Sequence, residues 1–301
     1  LSNKYNIKII AVDNVDSKSA KIFCHNFSLV PLGTSGNYVD SIESLVIKFK
    51  INMVIPCSDE EALALSKNRI QLERHNCVLT CTSYDTLQIL SSKIDTYRHL
   101  KKNKIDTPEF YEVNSLVELK NQVSYFLNKN KEVVVKPSTG RGGRNVCYFD
   151  GNNLTFNSND MKFYENLFPV IVMEKLIEPI YDIDMLSFNG VLRRSVVRRR
   201  INSAKPNEGH IIENIRVLHD LAKSISKVFD LSWLYDCDIM MNSNGLPMIL
   251  EINPRPSGSI AISIASGINF IDDMISLYKE DELIEYSIDN NQIIIPYKSL
   301  T

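Results

Sequence analysis

Two stretches of the chain carry residue types that chemistry needs. The first is Val133-Val134-Val135-Lys136-Pro137-Ser138-Thr139-Gly140-Arg141-Gly142-Gly143-Arg144. A β-rich run ends in a lysine and opens into a glycine-rich turn, and a second β-rich run, Asn145 to Phe149, follows. Glycines let backbone N–H groups turn toward a ligand, which is how a chain cradles phosphates. Lys136 adds a point charge there, and Arg141 or Arg144 can add more. A Walker A loop is excluded, because G-x-x-x-x-G-K-[ST] is absent and a strand, not a helix, follows. Taken alone, the stretch reads equally as a flexible hairpin with a solvated lysine.

The second stretch runs from Leu234 to Pro256, with Asn244-Gly245 between two apolar runs. That dipeptide signals a two-residue type I′ hairpin turn, which pairs Ser243 with Leu246 and sets every later pair. Asp238 is then expected across from Glu251 and Asp236 across from Asn253, all on one face. Pro247 falls opposite Asn242, where a missing N–H costs little. Acids opposed across two strands repel, by about 0.2–1 kcal/mol, unless a cation sits between them. Carboxylates with an amide oxygen suit Mg, which takes its other ligands from water and phosphates. Arg255, two residues on, can meet a phosphate or carboxylate bidentately.

Such groups need a scaffold. With 301 residues the chain is long enough for two or three compact units. A net charge of −2 sets up no global field toward nucleic acid or membranes, and no apolar run approaches a span. The six scattered cysteines include Cys77 and Cys81, but no second pair completes a metal site, so they read as buried thiols in a reducing cytosol. Residues 1–91 alternate strand and helix, as a parallel α/β domain does. The run from Ile7 to Val12, ending at Asp13, looks like the second strand of a Rossmann-like unit, so the chain is expected to start about one βα unit late. A dehydrogenase needs G-x-G-x-x-G ahead of Asp13, and this chain does not supply it. Ser58 is expected to cap a helix opening Asp59-Glu60-Glu61, and Ser92-Lys93 to open another. A smaller α/β unit spans 92–173. The remainder, 174–301, reads as strands, one long helix, the acidic hairpin and a closing helix. The polar segment from Ile201 to His210 reads as a mobile loop.

Together these stretches resemble the ATP-grasp superfamily, and within it the carbamoyl-phosphate-synthase-like and biotin-carboxylase-like members. The resemblance runs from about Met53 to Tyr278. It is carried by Ser92-Lys93 opening a helix, Pro108, the lysine-glycine loop, Val172-Met173-Glu174-Lys175-Leu176-Ile177, and Glu251-Ile252-Asn253-Pro254-Arg255-Pro256. It implies an α/β (α+β) fold: a Rossmann-like N-terminal domain lacking its first strand, a small lid domain, and a C-terminal antiparallel-sheet domain. It also implies site residues. Lys93 and Lys136 correspond to the nucleotide-phosphate lysines, and Gly140, Gly142 and Gly143 to the lid loop. Glu174, Lys175 and Leu176 correspond to the adenine hinge, with Leu250 on the nucleotide side. Asp238, Glu251 and Asn253 correspond to the Mg ligands, for which Mn substitutes, and Arg255 to the arginine near the transferred phosphate. The glutamate that many members place near position 180 for the ribose is missing, so Asp182 or Asp184 stands in for it, and the hairpin turn reads a residue longer than in some relatives.

The implied chemistry is Mg-ATP-dependent phosphorylation of a substrate carboxylate, followed by displacement of phosphate by an amine or similar nucleophile. Small-molecule partners, a cytoplasmic setting and a homodimer accompany that reading. The alternative is a nucleotide-binding regulatory or scaffold protein of the same fold. On the strand expected to carry Arg193-Arg194 and Arg198-Arg199-Arg200, Arg198 and Arg200 share one face and Arg199 takes the other. They read either as an anion anchor or as a solvated strand, and no interleaved aromatics point to nucleic acid. His210 reads as a candidate proton shuttle.

Overall fold

A computed structural model describes residues 5–140, 145–150, 163–205 and 208–297. The first third holds two short parallel pairs. Strands β1 (Ile10–Asp13) and β2 (Asn26–Leu29) flank helix α1 (Lys18–Phe23). Helix α2 (Tyr38–Phe49) precedes β3 (Met53–Val54). Helices α3 (Asp59–Lys67) and α4 (Arg69–Glu73) lead to β4 (Val78–Leu79), which pairs parallel with β3. Helices α5 (Tyr84–Ser91) and α6 (Lys93–Lys102) connect onward. Ser58 caps α3 by accepting from the Glu61 N–H at 3.2 Å, and Ser92 caps α6 from Asp95 at 3.2 Å, both as the sequence indicates.

A four-stranded antiparallel sheet follows, in the order β5-β8-β6-β7. Its strands are β5 (Phe110–Val113), β6 (Val133–Pro137), β7 (Cys147–Phe149) and β8 (Val170–Glu174), with helix α7 (Leu116–Asn128) between β5 and β6. The β-branched run Val133–Val135 is buried, and Leu119, Val123 and Phe126, four and three residues apart on α7, join the same core. That packing holds Lys136 at the strand's end.

The largest sheet has six antiparallel strands in the order β13-β12-β9-β10-β11-β14. They are β9 (Ile177–Phe188), β10 (Val191–Arg200), β11 (His210–Ile212), β12 (Trp233–Met241), β13 (Pro247–Asn253) and β14 (Ile293–Ile294). Helix α8 (Arg216–Val228) buries Leu218, Ala222 and Ile225, and contacts β9 and β10. Helices α9 (Ile260–Ala265) and α10 (Phe270–Lys279) complete the described chain. No helix among the described residues is long and apolar enough to cross a membrane.

Three local expectations need correction. The hairpin turn is a three-residue loop rather than a type I′ pair. Asn242 and Leu246 close it (N–O 2.9 Å), Gly245 takes φ 74°, and Pro247 pairs with Met241 instead of Asn242. A bulge between Asp238 and Ile239, opposite Leu250, then restores the count, so Asp238 still faces Glu251 and Asp236 faces Asn253. His210 is no loop residue: it opens β11, pairs with Arg200 and is fully buried. Cys57 is exposed rather than buried.

Candidate active site

Lys93, Lys136, Gly140, Lys175, Leu176, Asp182, Asp238, Leu250, Glu251, Asn253 and Arg255 line one cavity of 1210 Å³ between the four-stranded and six-stranded sheets. At one end are Lys175, Leu176, Ile177 and Glu178, where β8 passes into β9. Lys93 donates to the Gly140 carbonyl at 2.6 Å and lies 3.1 Å from a Glu251 carboxylate oxygen. Its backbone N–H donates to Ser138 at 2.8 Å, so the start of α6 is tied to the glycine turn. Gly142 and Gly143 lie outside the described residues.

Lys136 is 6% exposed, with Nζ 6.0 Å from the Tyr97 ring centroid. Burial and the neighbouring Lys93 charge pull its ammonium down to about 7. The Tyr97 hydroxyl donates 2.9 Å to the Leu250 carbonyl, at the bulge position. A helix of one region thereby fixes the irregular point of the acidic hairpin.

On the sheet floor, β9 runs between β12 and β10, placing Asp182 beside Asp238 and Asp184 beside Asp236. Oxygens of Asp182, Asp236 and Asp238 lie within 4.8 Å of one another. Glu251 stands outside that trio because it leans to Lys93. Burial and the neighbouring Asp182 charge push Asp238 up to about 7, and burial with three surrounding acids pushes Asp236 well above its ordinary range. Asp182 goes the other way. Burial would raise it, but hydrogen bonds from His210 and Arg200 and the arginine charges outweigh burial and hold it low. Arg200 grips Asp182 with Nε at 2.9 and 3.0 Å and reaches Asp238 at 2.9 Å; His210 Nε2 meets Asp182 at 2.6 Å.

The basic strand is therefore no solvated face. Arg198 is fully buried, 3.0 Å from Asp184, and donates to Ser259 Oγ at 2.7 Å and Ser257 Oγ at 3.2 Å. Arg199 takes the opposite face and pairs with Glu213 at 2.7 Å. Arg255 lies 3.3 Å from Asp59 on α3 and 4.0 Å from Asp236.

Two sequence assignments do not reach the cavity. The Glu174 carboxylate accepts from the Glu109 N–H at 2.9 Å and meets Lys131 at 3.0 Å, which turns it away from the hinge surface. Asp184 is fully buried between Arg198 and Ser263, so it cannot meet a ribose; Asp182, locked to Arg200 and His210, lies beside the acids rather than at the hinge. Asp236, expected opposite Asn253, and Arg200, read as an anion anchor or a solvated arginine, also line the cavity, together with Glu178 and the Ser257-Gly258-Ser259 turn, which were not singled out. The signal for Asp236 was the strand face that it shares with Asp238, and for Arg200 the face that it shares with Arg198. Glu178 offered none beyond its nearness to Lys175.

Residues 166–295 match a family model described as "ATP-grasp in the biosynthetic pathway with Ter operon", and residues 1–80 match "PylC-like, N-terminal domain". Comparison with curated proteins returns no match. Among solved structures, the chain is similar to N5-carboxyaminoimidazole synthetase from Staphylococcus aureus complexed with ADP (TM-score 0.73, 14% identity, 97% of this chain and 76% of that one). It is also similar to the biotin carboxylase domain dimer of Hydrogenobacter thermophilus 2-oxoglutarate carboxylase, in complex with MgADP, ADP and bicarbonate (TM-score 0.72, 14%, 97% and 69%). A third is L-amino acid ligase from Bacillus licheniformis (TM-score 0.68, 17%, 92% and 70%). At these identities the structural likeness speaks for the fold, and the two family models speak for the sequence. The chain thus matches an ATP-grasp family model over residues 166–295 and shares its fold with these enzymes over nearly its whole length.

Proposed function

We propose that this protein is an ATP-dependent ligase that activates a small-molecule carboxylate as an acyl phosphate and joins it to an amine or similar nucleophile. The observation that carries the reading is the convergence of Asp238, Glu251 and Asn253 with Lys93 and Lys136 in one cavity that continues to a hinge at Lys175–Leu176. Nucleotide base is assigned to the hinge end, phosphates to the two lysines, and the carboxylate to Arg255.

The donor set fits Mg. Asp238 and Glu251 oppose each other across the hairpin, Asn253 follows on the same face, and the pressure on Asp238 toward its neutral form is what a hard cation would relieve. Asp238, Glu251 and Asn253 would hold the ion, which when bound neutralises phosphate charge and helps align ATP. The protein's own residues do the rest. Lys136, buried and near neutrality, gains its full charge when phosphate oxygens replace water around it. Lys93 exchanges Glu251 for phosphate. Arg255 orients the carboxylate toward the γ-phosphate, and the Gly140 turn, tied to Lys93, excludes water from the acyl phosphate.

The test is ADP and phosphate release from Mg-ATP with pooled carboxylates and pooled amines, with nucleotide binding measured separately. Release that requires both pools and disappears in Glu251→Ala is the expected result. A protein that binds Mg-ATP yet shows no stimulated release from any pool argues for the regulatory alternative.

A further inference from the structure

Nearly every charged group on the cavity floor has a partner of opposite sign close by. Asp182 has Arg200 and His210, Asp184 has Arg198 at 3.0 Å, Asp238 has Arg200 at 2.9 Å and Glu251 has Lys93 at 3.1 Å. Asp236 is the exception. It is 6% exposed and receives one hydrogen bond, from the Asn253 amide at 3.2 Å, while its Oδ1 has no hydrogen-bond partner. The nearest cations are Arg198 at 3.9 Å and Arg255 at 4.0 Å, and Arg198 is already committed to Asp184. A buried carboxylate surrounded by other acids and lacking a close cation is costly unless something positive reaches it.

Arg255 shows the complementary shortfall. It lines the cavity, and its strongest ionic contact is a 3.3 Å approach to Asp59 across from α3. Its other hydrogen bonds go to the Pro256 carbonyl at 3.1 Å and the Asn253 side-chain oxygen at 3.3 Å. A guanidinium and a carboxylate, both facing the same space and 4.0 Å apart, present adjacent positive and negative sites. Their spacing is too short for two separate ligands of opposite charge. It suits one molecule whose ammonium nitrogen is one carbon removed from its carboxylate.

We infer that the carboxylate substrate is an α-amino acid, held by its carboxylate on Arg255 and by its ammonium on Asp236. This rests on the ligase reading above. Asp236 acts as the specificity-determining residue, with Asn253 fixing its orientation and Ser257-Gly258-Ser259 closing the wall around the side chain. Neither an ordinary fatty acid nor a dicarboxylate lacking an amine satisfies Asp236.

The test is equilibrium binding by calorimetry, in the presence of Mg and a non-hydrolysable ATP analogue, so that it does not depend on turnover. The standard amino acids are each paired with the desamino acid of the same skeleton, such as alanine with propionate, and an equimolar mixture of propionate and ethylamine serves as control. At least one amino acid is expected to bind about tenfold or more tightly than its desamino counterpart, and the mixture not to reproduce it. Asp236→Asn is expected to remove that ratio. Equal binding of the paired acids overturns the inference, as does failure of every amino acid to bind to a protein that binds the nucleotide. If the variant retains the ratio but loses Mg affinity, Asp236 serves the metal and the inference also falls. The ligase reading has its own outcome, since ADP release that requires a desamino acid together with an amine would keep it while removing the amino acid.

Discussion

The two sheets that enclose the cavity handle buried surface in opposite ways. The four-stranded sheet is built on Val133, Val135, Val170 and Val172, and it sends Lys136 into the cavity from the end of an apolar strand. The six-stranded sheet buries Asp182, Asp184 and Arg198 within its middle strands and offsets each with a neighbour of opposite sign. One sheet holds its site charge by packing around it, the other by pairing. The difference teaches that loss of a single residue should be local in the first sheet and should spread in the second, because an uncompensated buried charge costs more than a lost apolar contact.

The largest effect is expected where pairing and chemistry coincide. Glu251→Ala should lower substrate-stimulated ADP release by about 10²–10³-fold, as loss of one contact to developing charge does, and steady-state kinetics would show it; an unchanged rate would remove Glu251 from the site. Next, Arg198→Met should destabilise the fold by about 3–5 kcal/mol, because Asp184 is left buried and unpaired. The double change Arg198→Met with Asp184→Leu should recover most of that loss. Urea midpoints at constant slope measure both, and equal losses in the single and double variants would mean that packing, not pairing, holds this sheet.

Lys136 sharpens the other side of the comparison. Its ammonium sits near 7 in the free protein, and bound phosphate favours the charged form, so the bound value must be higher. Binding then takes up a proton, and affinity for ATP should fall as pH rises through and above about 7, by at most about tenfold per pH unit. Calorimetry in buffers of different ionisation enthalpy reads the uptake directly. Lys136→Gln should bind more weakly and lose this component, and a wild-type protein that releases protons instead contradicts the assignment. The smallest effect is expected at a cap of the apolar unit. Ser115→Ala removes the acceptor for the Glu118 N–H at 3.2 Å and should cost about 1 kcal/mol in thermal unfolding, with nucleotide affinity retained.

How far the sequence could be read differs between the same two sheets. Around the four-stranded sheet, the β-branched run, the Ser92 cap and Lys136 before the glycines are local features, and local features survive folding. Within the hairpin, the facing of Asp238 and Glu251 was also legible, although by a route that proved incomplete. The loop is longer than the Asn-Gly signal indicates, and a bulge near Leu250 cancels the extra residue. Burial was not legible elsewhere. Asp182 and Asp184, which the resemblance offered for a ribose, lie on a strand whose two faces are both buried around them.

By itself the sequence determined which residues share a strand face, where helices begin, and which side chains could meet phosphate or metal. Periodicity and capping act over a few residues, and they carry that information directly. What covers each face was decided only by the tertiary structure. Tyr97 reaching Leu250, Arg255 reaching Asp59 and Arg200 bridging Asp182 to Asp238 all join residues far apart in the chain. A buried charge takes its meaning from the partner that folding brings to it, and no local pattern encodes that partner.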